Sequence, residues 1–169
     1  EIKDGMNILE LGCGDGALWT QNLKKLPANI HITLSDISEG MLRDARRAIG
    51  SKDPRFTFRA FDCHSFPPKL GQFDLVIANH VLFYCDNIGK VCKNIQKVLR
   101  PQGRFLCSTY GSRHMREVSL LVQSFDERIT LSGEKLYEHF GRENGRALLS
   151  PYFQQITWQS YEDELVVTD

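Results

Sequence analysis

Three glycines in five positions, set between an apolar run and a helical pattern, constrain this chain more than any other feature. The run is Asn7-Ile-Leu-Glu-Leu11 and the loop is Gly12-Cys-Gly-Asp-Gly16. Behind the loop, Trp19, Leu23 and Leu26 recur at helical spacing as far as Pro27. Glycine lets the backbone turn sharply and lets a ligand come close to it. The helix start beyond it offers unpaired N–H groups to an anionic group. A tight turn with no ligand would not need three glycines. The loop alone leaves the ligand open, because Gly12-Cys-Gly14-Asp-Gly16-Ala17 also fits the G-x-G-x-x-A form of a dinucleotide site.

The rest of the chain repeats the alternation of strand and helix. Ile30 to Ser35 reads as a second strand ending at Asp36, and Ser38 and Glu39 start a helix that Gly50 ends. Met41, Ala45, Ala48 and Ile49 are its expected apolar stripe. Arg55 to Ala60 alternates strictly and leads into Phe61-Asp62. Phe73 to Ala78 is the most apolar run and is expected to be the central buried strand. Ile88, Val91, Cys92, Ile95, Val98 and Leu99 make the clearest helical stripe, stopped by Arg100-Pro101, and Gly103 to Thr109 follows as a fifth strand. Five strands with helix-length connections predict an α/β fold, a Rossmann-like, doubly wound, mostly parallel sheet. Residues 111–150 break the rhythm with helical patches such as Val118, Leu121, Val122 and Phe125, and Phe153 to Val167 reads as β-rich. The 169 residues suit a single domain, 1–169, with a helical insertion at about 111–150.

Acids at the strand ends narrow the ligand. Asp36 can accept hydrogen bonds from both hydroxyls of a ribose, which a nicotinamide dinucleotide and S-adenosylmethionine (SAM) share. Asp62 falls outside the dinucleotide pattern, and a carboxylate there can accept from the amine of adenine. Ile37 can pack on an adenine face. Each acid alone is more often a helix cap or a solvated loop residue. Three successive strands that each end in the required group make coincidence a poor explanation.

At these residues the chain resembles the class I SAM-dependent methyltransferases, of the type that acts on small molecules. Glu10-Leu-Gly-Cys-Gly-Asp-Gly16 looks like their first motif, Asp36 their ribose ligand and Phe61-Asp62-Cys63 their adenine motif. Phe73 to His80 resembles their fourth strand, and Leu99-Arg-Pro-Gln-Gly-Arg-Phe-Leu106 their entry to the fifth. The likeness covers residues 7–110 well and the remainder weakly. It implies that the backbone of Gly12, Cys13 and Gly14 cradles the methionine part of SAM, with Glu10 fixing the loop. It implies that Asp36 and Ile37 hold the ribose and adenine, that Asp62 and the Cys63 N–H hold the adenine, and that the Asn79 backbone lies near the ammonium group. Gln102 stands where the family often has glycine, so a type I turn with Pro101 second and Gly103 last is expected. The resemblance also implies a helix before the first strand and a final antiparallel strand. The chain opens at Glu1 without an initiator Met, so it reads as truncated at both ends, with a sheet edge left unpaired.

The implied reaction is in-line displacement of a sulfonium methyl, giving S-adenosylhomocysteine, with the enzyme aligning the nucleophile and excluding water. A hydroxyl or ammonium acceptor needs a base, and His80 and His114 are the candidates. A structural or surface histidine is as good a reading of each. His31 and His139 read as structural or exposed, and His64 as belonging to the adenine end. Tyr84 and Tyr110 are weaker contacts for an acceptor. Lys+Arg and Asp+Glu both number 21, which argues against a nucleic-acid partner. The Asn/Asp-Pro-Pro-Tyr motif of DNA amino-methylating enzymes and the paired-glutamate loop of protein-arginine enzymes are both missing. A small-molecule acceptor is what these negatives leave. The five cysteines form no C-x-x-C pair and read as buried thiols in the cytoplasm, with neither disulfide nor metal. No apolar run approaches a membrane span. The rival readings are a NAD-dependent oxidoreductase and a SAM-binding domain without catalysis.

Overall fold

Each of the five apolar runs forms a strand in the computed structural model, which describes residues 1–129 and 135–161. They are β1 (Asn7–Leu11), β2 (His31–Asp36), β3 (Phe56–Ala60), β4 (Phe73–Asn79) and β5 (Leu99–Ser108). All pairings are parallel, in the order β3-β2-β1-β4-β5. The middle strand is therefore β1, not the more apolar β4, although β4 is an inner strand with Leu75 to Ala78 buried. Burial on both faces explains the unbroken apolar run of β4. The registers Leu11↔Ser35, Asp36↔Ala60 and Asn79↔Ser108 align the carboxyl ends along one edge of the sheet. Strand order reverses between β1 and β4, the point where open α/β sheets take ligands.

Helices cover both faces. On one side α1 (Ala17–Thr20) and α2 (Glu39–Ile49) pack over Ile8, Ile32 and Leu34. On the other, α3 (Ile88–Val98) and α6 (Gly145–Leu149) pack over Leu9, Val76 and Ala78. The Ser38 hydroxyl caps α2 by accepting from Met41 N, and the Asn87 side chain caps α3 by accepting from Lys90 N. At the amino-terminal end of the sheet, Asp74 Oδ2 accepts from Asn7 N at 2.8 Å and from Arg100 Nη1 at 2.7 Å. Among the described residues no helix is long and apolar enough to cross a membrane.

Several details differ from expectation. The first helix is a single turn followed by a 3-10 turn at Leu23–Lys25, because Trp19 is its one deeply buried side chain. The buried stripe of α2 is Leu42, Ala45 and Ile49, while Met41 and Ala48 face water. No helix lies between β3 and β4; residues 61–72 cross as turns. Gln102 has φ of 66°, so the turn before the main part of β5 has the left-handed third residue of a type II turn rather than the type I form. It sits in a register shift where Phe73 pairs with Leu99 and Leu75 with Arg104.

Helical patches in 111–150 appear as α4 (Arg116–Phe125), α5 (Leu136–His139) and α6. Residues 152–161 carry no strand, which corrects the β-rich reading of that stretch; 162–167 lie outside the described residues. A hollow of about 780 Å³ between Ile2, Leu18, Leu75 and Leu106 lies on the α1 face and shares no lining residue with the glycine loop.

Candidate functional site

The glycine loop is held to the sheet by its own backbone. Cys13 N donates to Ser35 O at 2.9 Å, Gly14 N to Asp36 Oδ2 at 3.0 Å, and Gly16 N to Cys13 O at 3.0 Å. Gly12, Gly14 and Gly16 have φ of 65°, 55° and 78°, in the left-handed region where side chains are strained. The glycines answer to different neighbours. A Cβ on Gly12 would fall 2.4 Å from Val81 Cγ2, whereas a Cβ on Gly14 would meet nothing within 4 Å. Gly12 is required by packing against the residue after His80. Gly14 borders open space.

Glu10 lies beneath the loop, 3% exposed. Its Oε2 accepts from Trp19 Nε1, which ties the end of β1 to α1. Burial pushes its carboxyl up to about 7; the Trp19 hydrogen bond opposes the rise and the Asp36 charge adds to it. The Cys13 N–H, expected in a ligand cradle, is spent on Ser35, and its buried thiol is pushed up to about 12 by desolvation. Cys13 therefore shapes the loop rather than offering it a donor.

Asp36 spans the next gap. Its Oδ1 accepts from Ser38 N at 2.9 Å while Oδ2 holds Gly14 N. A carboxylate has about four acceptor positions, so two remain for a ligand. Ile37 beside it is 75% exposed, a large apolar side chain left in water. Asp62 follows β3, with Oδ1 accepting from His64 N at 2.8 Å and facing His64 Nδ1 at 2.8 Å. The His64 backbone and side-chain bonds hold the Asp62 carboxyl below its usual value, burial opposing them.

Rings gather at the ends of β4 and β5. Asn79 closes β4 opposite Ser108. His80 follows with φ of 53°, its N–H donating to Ser108 O at 3.3 Å and Ser108 Oγ at 3.2 Å. Such a non-glycine residue in the left-handed region is characteristic of functional sites. The His80 ring stacks toward Tyr110 at 6.4 Å, and Tyr110 toward His114 at 4.4 Å. Phe83 lies 5.1 Å from Tyr110 and is buried. Burial, then the neighbouring His114, holds the His80 pKa below its usual value, which favours the neutral, proton-accepting form. The structure thus joins His80, His114 and Tyr110 in one cluster in which both histidines are exposed, as are His31 and His139.

This arrangement of a glycine loop, two acids and an open strand-end edge coincides with a family match. Residues 2–161 match the model of a methyltransferase domain. The chain belongs to that family. It is 31% identical over 132 residues to malonyl-[acyl-carrier protein] O-methyltransferase 2 of Ilyobacter polytropus, covering 78% of this chain and 50% of that protein. It is 27% identical over 156 residues to a highly reducing polyketide synthase of Calcarisporium arbuscula, covering 89% of this chain and 6% of the synthase. Among solved structures, an S-adenosylmethionine-dependent methyltransferase from Mesorhizobium loti superposes with a TM-score of 0.57 at 28% identity, over 66% of this chain and 50% of that one. The chain spans about half the length of the O-methyltransferases it matches. The family sets aside the NAD-dependent oxidoreductase.

Sequence reasoning named Trp19 and Cys85 as buried but missed their partners, Glu10 and Cys63, and missed Val81 altogether. Val81 and Cys85 sit in an unpatterned stretch around the 3-10 turn Leu82–Tyr84, and no spacing rule links them to Gly12 or Cys63. Trp19 had a signal: a single aromatic one turn into the helix behind a buried acid.

Proposed function

We propose that this domain binds SAM across the carboxyl ends of β1 to β4 and methylates a small-molecule acceptor held at the ends of β4 and β5. The observation that carries the reading is the series of strand ends: the glycine loop, Asp36 and Asp62 face one edge, with open space at Gly14 and an uncovered Ile37 between the acids. The residues fit the cofactor. Gly12, Cys13 and Gly14 form a cradle with no side chain over Gly14, and Glu10 fixes it through Trp19. The spare acceptor positions of Asp36 take the ribose hydroxyls. Asp62 Oδ2 and the Cys63 N–H take the adenine, Ile37 covers its face, and the Asn79 backbone meets the ammonium group. When bound, SAM supplies a methyl group on a sulfonium that leaves by in-line displacement, giving S-adenosylhomocysteine.

The chain's own part is alignment, exclusion of water and proton removal. Neutral His80, with His114 across Tyr110, accepts the proton of a hydroxyl or an activated C–H acceptor. A carboxylate acceptor needs no base. The matched relatives favour an acyl group on a carrier thioester as the acceptor class, and the even charge balance supports a small molecule over nucleic acid. Five free cysteines support a cytoplasmic site of action.

The test is incubation of the whole protein with methyl-labelled SAM and malonyl or 3-oxoacyl thioesters of pantetheine and of acyl carrier protein. Label in the acyl product supports the reading. SAM binding by calorimetry with no transfer to any thioester would leave a cofactor-binding domain without this chemistry. No SAM binding would overturn the assignment of the strand-end edge.

A further inference from the structure

Cys63, His64 and Cys85 come from loops more than twenty positions apart, yet their ligand atoms lie within 4.8 Å of one another. Cys63 Sγ is 3.4 Å from Cys85 Sγ and 3.9 Å from His64 Nδ1. Around a tetrahedral zinc, bonds of about 2.3 Å to sulfur and about 2.0–2.1 Å to nitrogen put neighbouring ligand atoms about 3.5–3.8 Å apart. The measured 3.4 Å and 3.9 Å lie within about 0.4 Å of the values for a sulfur–sulfur pair, about 3.8 Å, and a sulfur–nitrogen pair, about 3.5 Å. A pair of packed thiols alone would also sit this close. The imidazole on the same point is what a thiol pair does not require, and Asp62 Oδ1 stands beside it, 2.8 Å from His64 Nδ1.

The donors are also held in place. Asn94 Nδ2 donates to Cys63 O at 3.3 Å, and Cys85 N donates to Leu82 O at 3.0 Å within the 3-10 turn. Cys85 is buried, and Cys63 and His64 are half-buried, so a cation can enter from one side.

We propose that Cys63, His64 and Cys85, with Asp62 as fourth ligand, bind a thiophilic divalent cation of the zinc type. Two thiols lose their protons to solvent and bind as thiolates. His64 Nε2 accepts from Asn87 N at 3.4 Å, which places the ring proton on Nδ1 toward Asp62. That proton leaves Nδ1 as the metal arrives and another is taken up at Nε2, so the imidazole stays neutral and the long Asn87 bond is given up. The net release is two protons, with no change of oxidation state. Because Asp62 turns to the metal, the cation and the adenine of SAM exclude each other. This competition rests on the proposed function; cation binding does not.

The experiment uses the full chain, reduced with a phosphine, and titrates Co2+ followed by Zn2+. One equivalent of Co2+ with thiolate-to-cobalt charge-transfer absorption, displaced by Zn2+, is the expected result. The Cys63→Ser/Cys85→Ser variant should lose that absorption and bind Zn2+ about a hundredfold or more weakly, and His64→Ala at least about tenfold. Circular dichroism melts establish that the variants fold. Co2+ binding to the natural chain without thiolate absorption would overturn the site, and so would unchanged Zn2+ affinity in the folded double variant, which keeps Cys13, Cys92 and Cys107. Zn2+ should weaken SAM binding to the natural chain at least about tenfold, and the Cys85→Ser variant should bind SAM with an affinity that Zn2+ no longer changes. Zn2+ binding with SAM affinity unaltered overturns the competition. Absence of SAM binding without any metal overturns the proposed function and leaves the cobalt arm standing.

Discussion

The chain leaves β1 and β5 at the same edge of the sheet, and the two exits are built differently. After β1, N–H groups of the loop bond to Ser35 O and the Asp36 carboxylate at the adjoining end of β2 and to Cys13 O within the loop, and α1 then buries Trp19 against Phe56. After β5, the tethers come from thirty residues away. Thr109 Oγ1 donates to Phe140 O at 2.6 Å, Arg142 N to Tyr110 O at 3.1 Å, and Ser112 N to Glu143 Oε1 at 3.0 Å. Between those tethers α4 leaves Leu121 60% and Phe125 82% exposed. A site fixed to the neighbouring strand of the sheet serves one constant ligand. A site fixed by a distant returning segment can change shape as that segment changes. The division matches a constant cofactor beside a variable acceptor.

The largest expected effect on turnover lies on the acceptor side. With a hydroxyl or activated C–H acceptor, His80→Ala should lower methyl-transfer turnover about a hundredfold, the lower range of a general-base contribution, while calorimetry finds SAM affinity unchanged. Equal loss of both would dissolve the distinction between the two exits.

The next effects sharpen the cofactor side. Gly12→Ala should destabilise the fold by about 2–4 kcal/mol, combining left-handed strain with a clash on Val81. Gly14→Ala should cost about 1–2 kcal/mol, from strain alone, yet weaken SAM binding by filling the open side of the loop. Urea unfolding of the pair, with Gly12→Ala/Val81→Ala restoring part of the loss, separates packing from ligand space. Equal destabilisation of the two single variants would contradict the assignment.

Glu10 gives a pH signature. Its folded pKa of about 7 exceeds the ordinary 4.5, so the folded state binds the extra proton. The stability it contributes is full below about pH 4.5 and is lost as pH rises through about 7. Glu10→Gln, which keeps an acceptor for Trp19, should match the natural chain near pH 4.5 and exceed it by up to about 3 kcal/mol at pH 8. Denaturant midpoints at both pH values measure this; parallel curves would show that Glu10 is not held protonated. Asp36→Ala should weaken SAM by about 1.5–3 kcal/mol in calorimetry, the scale of hydrogen bonds to a charged group.

Legibility in the sequence follows the same division. All five strands fell within a few residues of their runs: inner strands β1 and β4 are nearly continuously apolar because both faces are buried, and edge strand β3 shows its one buried face by alternation. Ser38 and Gly50 marked the ends of α2, because caps are local chemistry. Gly12, Asp36 and Asp62 could be placed because each ends a strand. Contacts that cross the fold left no local trace: Val81 over Gly12, Cys85 against Cys63, and Phe140 under Thr109. The strand expected after Phe153 failed through residue 161, since β-branched and aromatic composition there carries no burial: Trp158 and Tyr161 are exposed. Met41 misled for a related reason, because apolar identity placed it in a stripe that geometry gave to Leu42.

The position of β1 has a consequence for how the molecule is made. Ile8 pairs on one side with Ile32 and on the other with Leu75. On the ribosome, the first partner emerges within a few seconds at ordinary elongation rates of about 5–20 residues per second, and the second some seconds later. During that interval the nascent parallel unit of β1, α1 and β2 displays an unpaired inner edge, and the glycine loop has its bond to Ser35 but lacks the packing of Val81. Closing the longer loop carries the greater entropy cost. The ligand cradle is thus completed only when the fourth strand has been synthesised, and a chaperone that shields the β1 edge would act on the chain at that stage.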